Sequence, residues 1–231
     1  MPSVLITSAN RGLGFEFARQ YAAESWRVLA ACRDPDGSDD LQSLARGSKG
    51  HIEVIAMDVT DAASVRKAAA RLSKTPVDVL INSAGIYGGR GQSVGEIDYE
   101  VWKQVLDVNT LGPMRVVEAF LPSIAASERK LVVTITSGMG SLSDNTSGGS
   151  YAYRSSKAAV NMVTRSLAID LAPRGITCIV VNPGWVQTDM GGPNAKITPQ
   201  ASITAMRRLI DKVGRAETGR FFNHDGREYP W

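Results

Sequence analysis

Tyr153-Arg154-Ser155-Ser156-Lys157 sets a phenol and an ammonium four residues apart, a spacing that puts both on one face of a helix. A phenol with an ordinary pKa of about 10 is a poor acid at neutral pH, and a neighbouring ammonium stabilises its phenolate. Such a pair suits proton transfer to or from a reacting oxygen. Tyr151, six residues from Lys157, falls on a different face. Ser137 closes the apolar run from Leu131 to Thr136, where a hydroxyl can hydrogen-bond a carbonyl oxygen or cap a turn.

A second constellation lies near the start. Thr7-Ser8-Ala9-Asn10-Arg11-Gly12-Leu13-Gly14 follows an apolar run and opens a helical pattern carried by Phe15, Phe17, Ala18 and Tyr21. Strand, glycine turn and helix start together form a pyrophosphate site, because backbone N–H groups and the helix dipole converge on it. A dinucleotide is therefore expected. The next apolar run ends Ala31-Cys32-Arg33-Asp34, at the place where an acidic residue takes the ribose 2′-hydroxyl and a basic one a 2′-phosphate. Arg33 and Arg11 converging on one phosphate favour NADP(H) over NAD, with Asp34 as the competing ribose partner.

These groups need elements to hold them. Strands are expected at Val4 to Thr7, Arg27 to Cys32, Ile52 to Met57, Val77 to Asn82, Leu131 to Thr136, Ile176 to Asn182 and Arg220 to Asn223. Helices are expected at Leu13 to Glu24, Ala62 to Ser73, Tyr99 to Ala126, Tyr151 to Ala172 and Pro199 to Val213. Alternation of this kind implies an α/β Rossmann fold, with a doubly wound seven-stranded parallel sheet and helices on both faces. No repeat or linker interrupts it, so residues 1–231 form one dinucleotide-binding and catalytic domain. The Gly-rich and polar stretches Tyr87 to Gly95, Ser143 to Ser150 and Gly191 to Gln200 all follow strands, at the edge where such sheets bind ligands.

Composition removes other classes. Hydrophobic residues make up 43% and charged residues 21% of the chain, the balance of an ordinary globule. The net charge of +3 is spread singly rather than in a basic run, which argues against nucleic acid as a partner. No segment is long and apolar enough to span a membrane. The N-terminus lacks the layout of a secretory signal, so the cytoplasm is the expected compartment. Cys32 and Cys178 sit inside apolar runs and read as buried thiols. His51 and His224 lack metal-ligand spacing, and no metal is expected.

Taken together, these motifs make the chain similar to the short-chain dehydrogenase/reductase family, in its ordinary-length branch, along essentially all of its length. The family turn Thr-Gly-x-x-x-Gly-x-Gly is matched from Thr7 to Gly14, with Ser8 in place of its first glycine. Asn82-Ser83-Ala84-Gly85 matches Asn-Asn-Ala-Gly, with Ser83 substituted. The family tetrad maps onto Asn109, Ser137, Tyr153 and Lys157; the Pro-Gly and the nicotinamide-contacting Thr map onto Pro183, Gly184 and Thr188. Asp58, followed by Val59, corresponds to the residue beside the adenine. The runs from Asn10 to Gly14, Arg33-Asp34 and Pro183 to Gly192, which includes Val186, resemble the sniffer and C-factor-like carbonyl reductases in particular.

The resemblance implies NADPH-dependent reduction of a ketone, aldehyde or quinone. Tyr153 would donate a proton to the oxygen and Ser137 would hydrogen-bond it. Lys157 would lower the tyrosine pKa and hold the nicotinamide ribose, and Asn109 would support a proton relay through water. Tyr87, Met139, Leu142 and Trp185 are expected to border a pocket for an apolar or aromatic carbonyl substrate, with a lid within residues 191–213. Association into a dimer or tetramer through the two long helices is implied, although Val160, Val163, Leu167 and Leu171 could equally cover the sheet. The rival readings are an NADP(H)-binding regulatory or signalling protein with little turnover and an NAD-dependent alcohol dehydrogenase.

Overall fold

The structure is a computed structural model that describes residues 1–89 and 92–231; Arg90 and Gly91, within the Gly-rich stretch from Tyr87 to Gly95, lie outside the described residues. Seven strands form one sheet in the order β3-β2-β1-β4-β5-β6-β7. They are β1 (Ser3–Thr7), β2 (Arg27–Cys32), β3 (Ile52–Ala56), β4 (Val79–Asn82), β5 (Leu131–Ile135), β6 (Thr177–Asn182) and β7 (Phe221–Asn223). All neighbouring pairs are parallel. The chain runs outward from β1 to β3 and returns to place β4 on the other side of β1. The carboxyl ends of β1 and β4 therefore flank the switch point, where the crevice of a doubly wound sheet opens.

Strand alternation divides the core. Val4 and Ile6 of β1 face one apolar cluster with Phe17, Tyr21, Ile203 and Met206, from α1 (Gly12–Ala23) and α7 (Pro199–Lys212). Leu5 faces the other, with Val65 of α3 (Ala62–Arg71), Phe120 of α5 (Gly112–Ala125) and Leu167 of α6 (Tyr151–Leu171). Leu167 and Leu171 are buried there with Val163 packed beside them, and Val160 is buried too; these residues cover the sheet. The exposed large hydrophobic side chains of α6 are Tyr151, Met162 and Ile169. No described helix is long and apolar enough to cross a membrane.

Three departures from the sequence reading stand out. A helix, α2 (Asp39–Gly47), fills a stretch left without an element; Leu41 is buried and Leu44 and Ala45 pack beside it on the core, an apolar stripe only one turn long. The expected helix from Tyr99 to Ala126 is broken into α4 (Tyr99–Leu106), a π-helical turn (Asp107–Leu111) and α5. Gly112 donates its N–H five residues back to the Asp107 carbonyl, and Pro113, having no N–H, cannot close the ordinary bond to Asn109. Finally, α7 belongs to the core, with Ile203, Met206 and Ile210 fully buried. This confines any lid to the loop before Pro199, which is pinned by an N–H bond from Gln187 to the Ile197 carbonyl at 2.9 Å.

Candidate active site

The glycine turn is built by β1 and α1. Thr7 Oγ1 accepts the N–H groups of Ser83 and Ala84, both at 2.9 Å, tying the end of β1 to the loop after β4. Gly14 lets the turn close: a Cβ there would lie 2.2 Å from the Ser8 carbonyl oxygen. Ser8 has φ of +54° and Gly12 of +53°, so the serine occupies a left-handed position that favours glycine. The N-terminus of α1 has neither a side-chain cap nor an acidic residue in its first turn, leaving its N–H groups and dipole open to an anion.

Three connected cavities run along the carboxyl edge. The first, of about 560 Å³, is lined by Ser8, Asn10, Arg11, Arg33, Asp58, Val59, Ala84 and Gly85. The second, of about 320 Å³, shares Ser8, Arg11 and Gly85 and adds Gly12, Leu13, Gly14 and Thr188. The third, of about 660 Å³, contains Ser137, Tyr153 and Lys157, with Tyr87, Met139, Pro183, Gly184, Trp185 and Val186 around them. An elongated, anion-receptive cradle with small residues at its floor fits a dinucleotide. Arg11 and Arg33 are exposed on its first cavity, and neither enters an ion pair among the described residues.

Three expected site residues, Asn82, Asn109 and Leu142, line none of these cavities. Asn82 is buried at the end of β4 and lines none of these cavities, and its side-chain atoms have no hydrogen-bond partner among the described residues. Leu142 is 80% exposed and outside the lining. Ser141 takes the inward position before it, and Leu142's own N–H is drawn to the Trp231 carbonyl. The lining also includes Asp144, Arg154 and Met190, from stretches that the sequence singled out, and Tyr229, which no pattern in the sequence marked. Tyr229 donates to Asp144 at 2.7 Å, a pairing across a separation that no local pattern could reveal.

Tyr153 and Lys157 stand one turn apart on the buried face of α6. Burial pushes the Tyr153 phenol up to about 12, opposed by a hydrogen bond with Ser137 and reinforced by the nearby Tyr87. Burial also holds the Lys157 ammonium down at about 8. The lysine donates to the Ile135 carbonyl at 3.0 Å, and its nitrogen lies 5.7 Å from the Tyr153 ring centroid. The expected lowering of the phenol by Lys157 is therefore not produced by these side chains alone: the ammonium is turned to the strand, and burial wins.

Supporting residues set this geometry. Gly140 lets the turn after β5 press onto α6, since a Cβ there would lie 2.8 Å from the Lys157 backbone. Asn161 accepts from Thr136 Oγ1 at 2.6 Å and donates to the Gly140 carbonyl at 3.2 Å, fastening the Ser137 turn to the helix. The run of polar residues Ser156, Lys157 and Asn161 at helical spacing was the available sequence signal. Asn109 sits in the π turn, fully paired: it accepts the Ile86 N–H at 2.8 Å and donates to the Ile86 carbonyl and Ser156. Gly85 keeps clear the space between Lys157 and Asn109, a Cβ there lying 3.5 Å from each.

A doubly wound sheet with hydroxyl, phenol and ammonium gathered beside its dinucleotide crevice defines an oxidoreductase of the Rossmann type. Residues 2–197 match the family described as short chain dehydrogenase, and the chain belongs to that family. It is 46% identical to C-signal of Myxococcus xanthus over 167 residues, which are 72% of this chain and all of that protein. Its structure is similar to that of NADPH-bound carbonyl reductase from chicken fatty liver, with a TM-score of 0.93 and 33% identity over all of this chain and 99% of that one. The carbonyl reductase Sniffer of D. melanogaster gives a TM-score of 0.93 at 31% identity, with both chains covered in full.

Proposed function

We propose that the protein reduces an apolar or aromatic aldehyde, ketone or quinone to the alcohol with NADPH, and that Tyr153 is the proton donor. The observation that carries this is the placement of Ser137, Tyr153 and Lys157 in one cavity that continues into the crevice flanked by Arg11 and Arg33. A relative of similar structure carries NADPH, in line with the two cations. When bound, NADPH supplies the hydride that the carbonyl carbon accepts.

This chain's own residues govern the oxygen. The Tyr153 phenol stays protonated through the neutral range and gives its proton to the carbonyl oxygen as negative charge develops there. Ser137 donates a hydrogen bond to the same oxygen. The phenolate left behind is balanced by the Lys157 ammonium, and the proton returns from solvent across the space toward Asn109. Tyr87, Met139 and Trp185 give the substrate an apolar surround.

The test is NADPH oxidation with a panel of aromatic aldehydes, α-diketones and ortho-quinones, comparing the protein with Tyr153→Phe. Turnover that falls about a hundredfold or more in the variant is expected; equal turnover would remove Tyr153 from the chemistry. A second reading, an NADP(H)-binding regulatory protein with little turnover, is favoured by the 46% identity to C-signal. It expects tight NADPH binding with no Tyr153-dependent oxidation across the panel.

A further inference from the structure

Helix α6 begins unusually. Gly148, Gly149 and Ser150 are successive left-handed residues, with φ of +62°, +63° and +49°. The two glycines have open space around them, and glycine would also be the easier residue at the third position. Serine there is a favoured helix cap, yet Ser150 makes no side-chain capping bond. Its hydroxyl instead meets the Tyr87 hydroxyl at 2.6 Å.

Capping is taken over by the loop that follows β4. Gln92 Oε1 accepts the Tyr153 N–H at 3.2 Å, while its amide donates to the carbonyls of Tyr87 and Gly89 at 2.9 and 3.1 Å. Ser150 is thereby released to hold the Tyr87 side chain. The Tyr87 ring, which lines the cavity, stands 5.0 Å from the Tyr153 ring at 42°. A backbone conformation disfavoured for serine, a capping residue that does not cap, and a short bond to a cavity-wall aromatic all converge on one purpose.

We propose that the Tyr87–Ser150 hydrogen bond is a clasp that fixes Tyr87 as a flat wall beside the proton donor, making Tyr87 the determinant of preference for aromatic over aliphatic carbonyl compounds and Ser150 its positioning residue. The selectivity rests on the reductase reading; the clasp itself does not. An aromatic ring gains an offset or edge contact only if its partner is held in place, whereas a small aliphatic substrate draws little from that wall.

Two measurements on Tyr87→Phe, Ser150→Ala and the double variant test it. The first is amide hydrogen exchange over residues 86–89 without substrate. Faster exchange in both single variants is expected, and unchanged exchange overturns the clasp whether or not the protein turns anything over. The second is KM and kcat with NADPH for an aromatic ketone and a short aliphatic aldehyde. The aromatic KM is expected to rise relative to the aliphatic one by about fivefold in each single variant, the loss of one hydrogen bond, with kcat moving less. The double variant should match the singles, because one bond is lost once; independent effects compounding to about 25-fold, or equal shifts for both substrates, overturn the proposal. Ser150→Gly should reproduce the KM shift without lowering Tm, which a merely structural serine would not do. Altered exchange in a protein without turnover would refute the reductase reading while upholding the clasp.

Discussion

At the scale of single residues, the site is governed by desolvation. Lys157 sits at about 8 because burial disfavours its charge: it is an ammonium below that pH and a neutral amine above it. With NADPH varied against saturating carbonyl substrate, kcat/KM reports groups of the cofactor-free enzyme. It is expected to hold steady up to about pH 8 and then fall by about tenfold per pH unit as the ammonium is lost. The Tyr153 phenol, near 12, adds no fall in that range. Lys157→Met should give a low and flat profile over the same range; a fall persisting in the variant would assign the titration to another group. Ser8 shows the same dependence on surroundings. Its place in the glycine motif was plain from the sequence, but its φ of +54° follows from the packing of Gly14 beneath its carbonyl.

At the scale of elements, the π turn between α4 and α5 makes Asn109 useful. A regular helix would turn the Asn109 side chain on the ordinary period; the widened turn presents it to the Ile86 backbone. Single π turns of this kind cluster at functional sites. Asn109→Ala would leave the N–H and carbonyl of Ile86 without their partner. A loss of about 2 kcal/mol in stability is expected, read from urea unfolding, together with lower turnover at temperatures where the variant is folded. Undiminished stability would mean that the loop holds its shape without the asparagine. The strands and long helices were legible because burial on one or both faces imposes a period on the residues. The π turn was not, since its only local mark is Pro113, which is equally common in the first turn of an ordinary helix. Helix α2 did carry signals, Ser38 followed by Asp39 and Asp40, suited to a helix start, and Leu41, Leu44 and Ala45 at helical spacing on the core side, but over nine residues that stripe lasts a single turn.

At the scale of the whole molecule, winding in opposite directions from β1 brings residues distant in the chain to one edge. The Tyr153–Lys157 pair and the glycine motif could be read directly, because each is local, whereas Asn109 and Ser137 were joined to that pair only through the family resemblance. The polar side of the third cavity could not, because Asp144 and Tyr229 meet only through the fold. The same topology separates two groups of side chains: α6 and the turn after β5 hold Tyr153, Lys157 and Ser137, whereas the ends of β1 and β2 present Arg11 and Arg33 at the far cavity. A 2′-phosphate placed there would gain charge-assisted hydrogen bonds from both guanidinium groups, and a cofactor lacking it would not. Arg33→Asp removes one of these and adds a carboxylate able to accept from a ribose 2′-hydroxyl. The ratio of kcat/KM for NADPH to that for NADH should fall by at least about tenfold, as expected for one exposed charged contact of about 1.5 kcal/mol. The melting temperature should stay unchanged, because Arg33 is exposed and enters no ion pair among the described residues. The loss in NADPH affinity should also shrink as salt is raised, since screening weakens the wild-type contact first. An unaltered cofactor ratio would leave Arg11 as the sole source of the preference and confine Arg33 to the solvated surface.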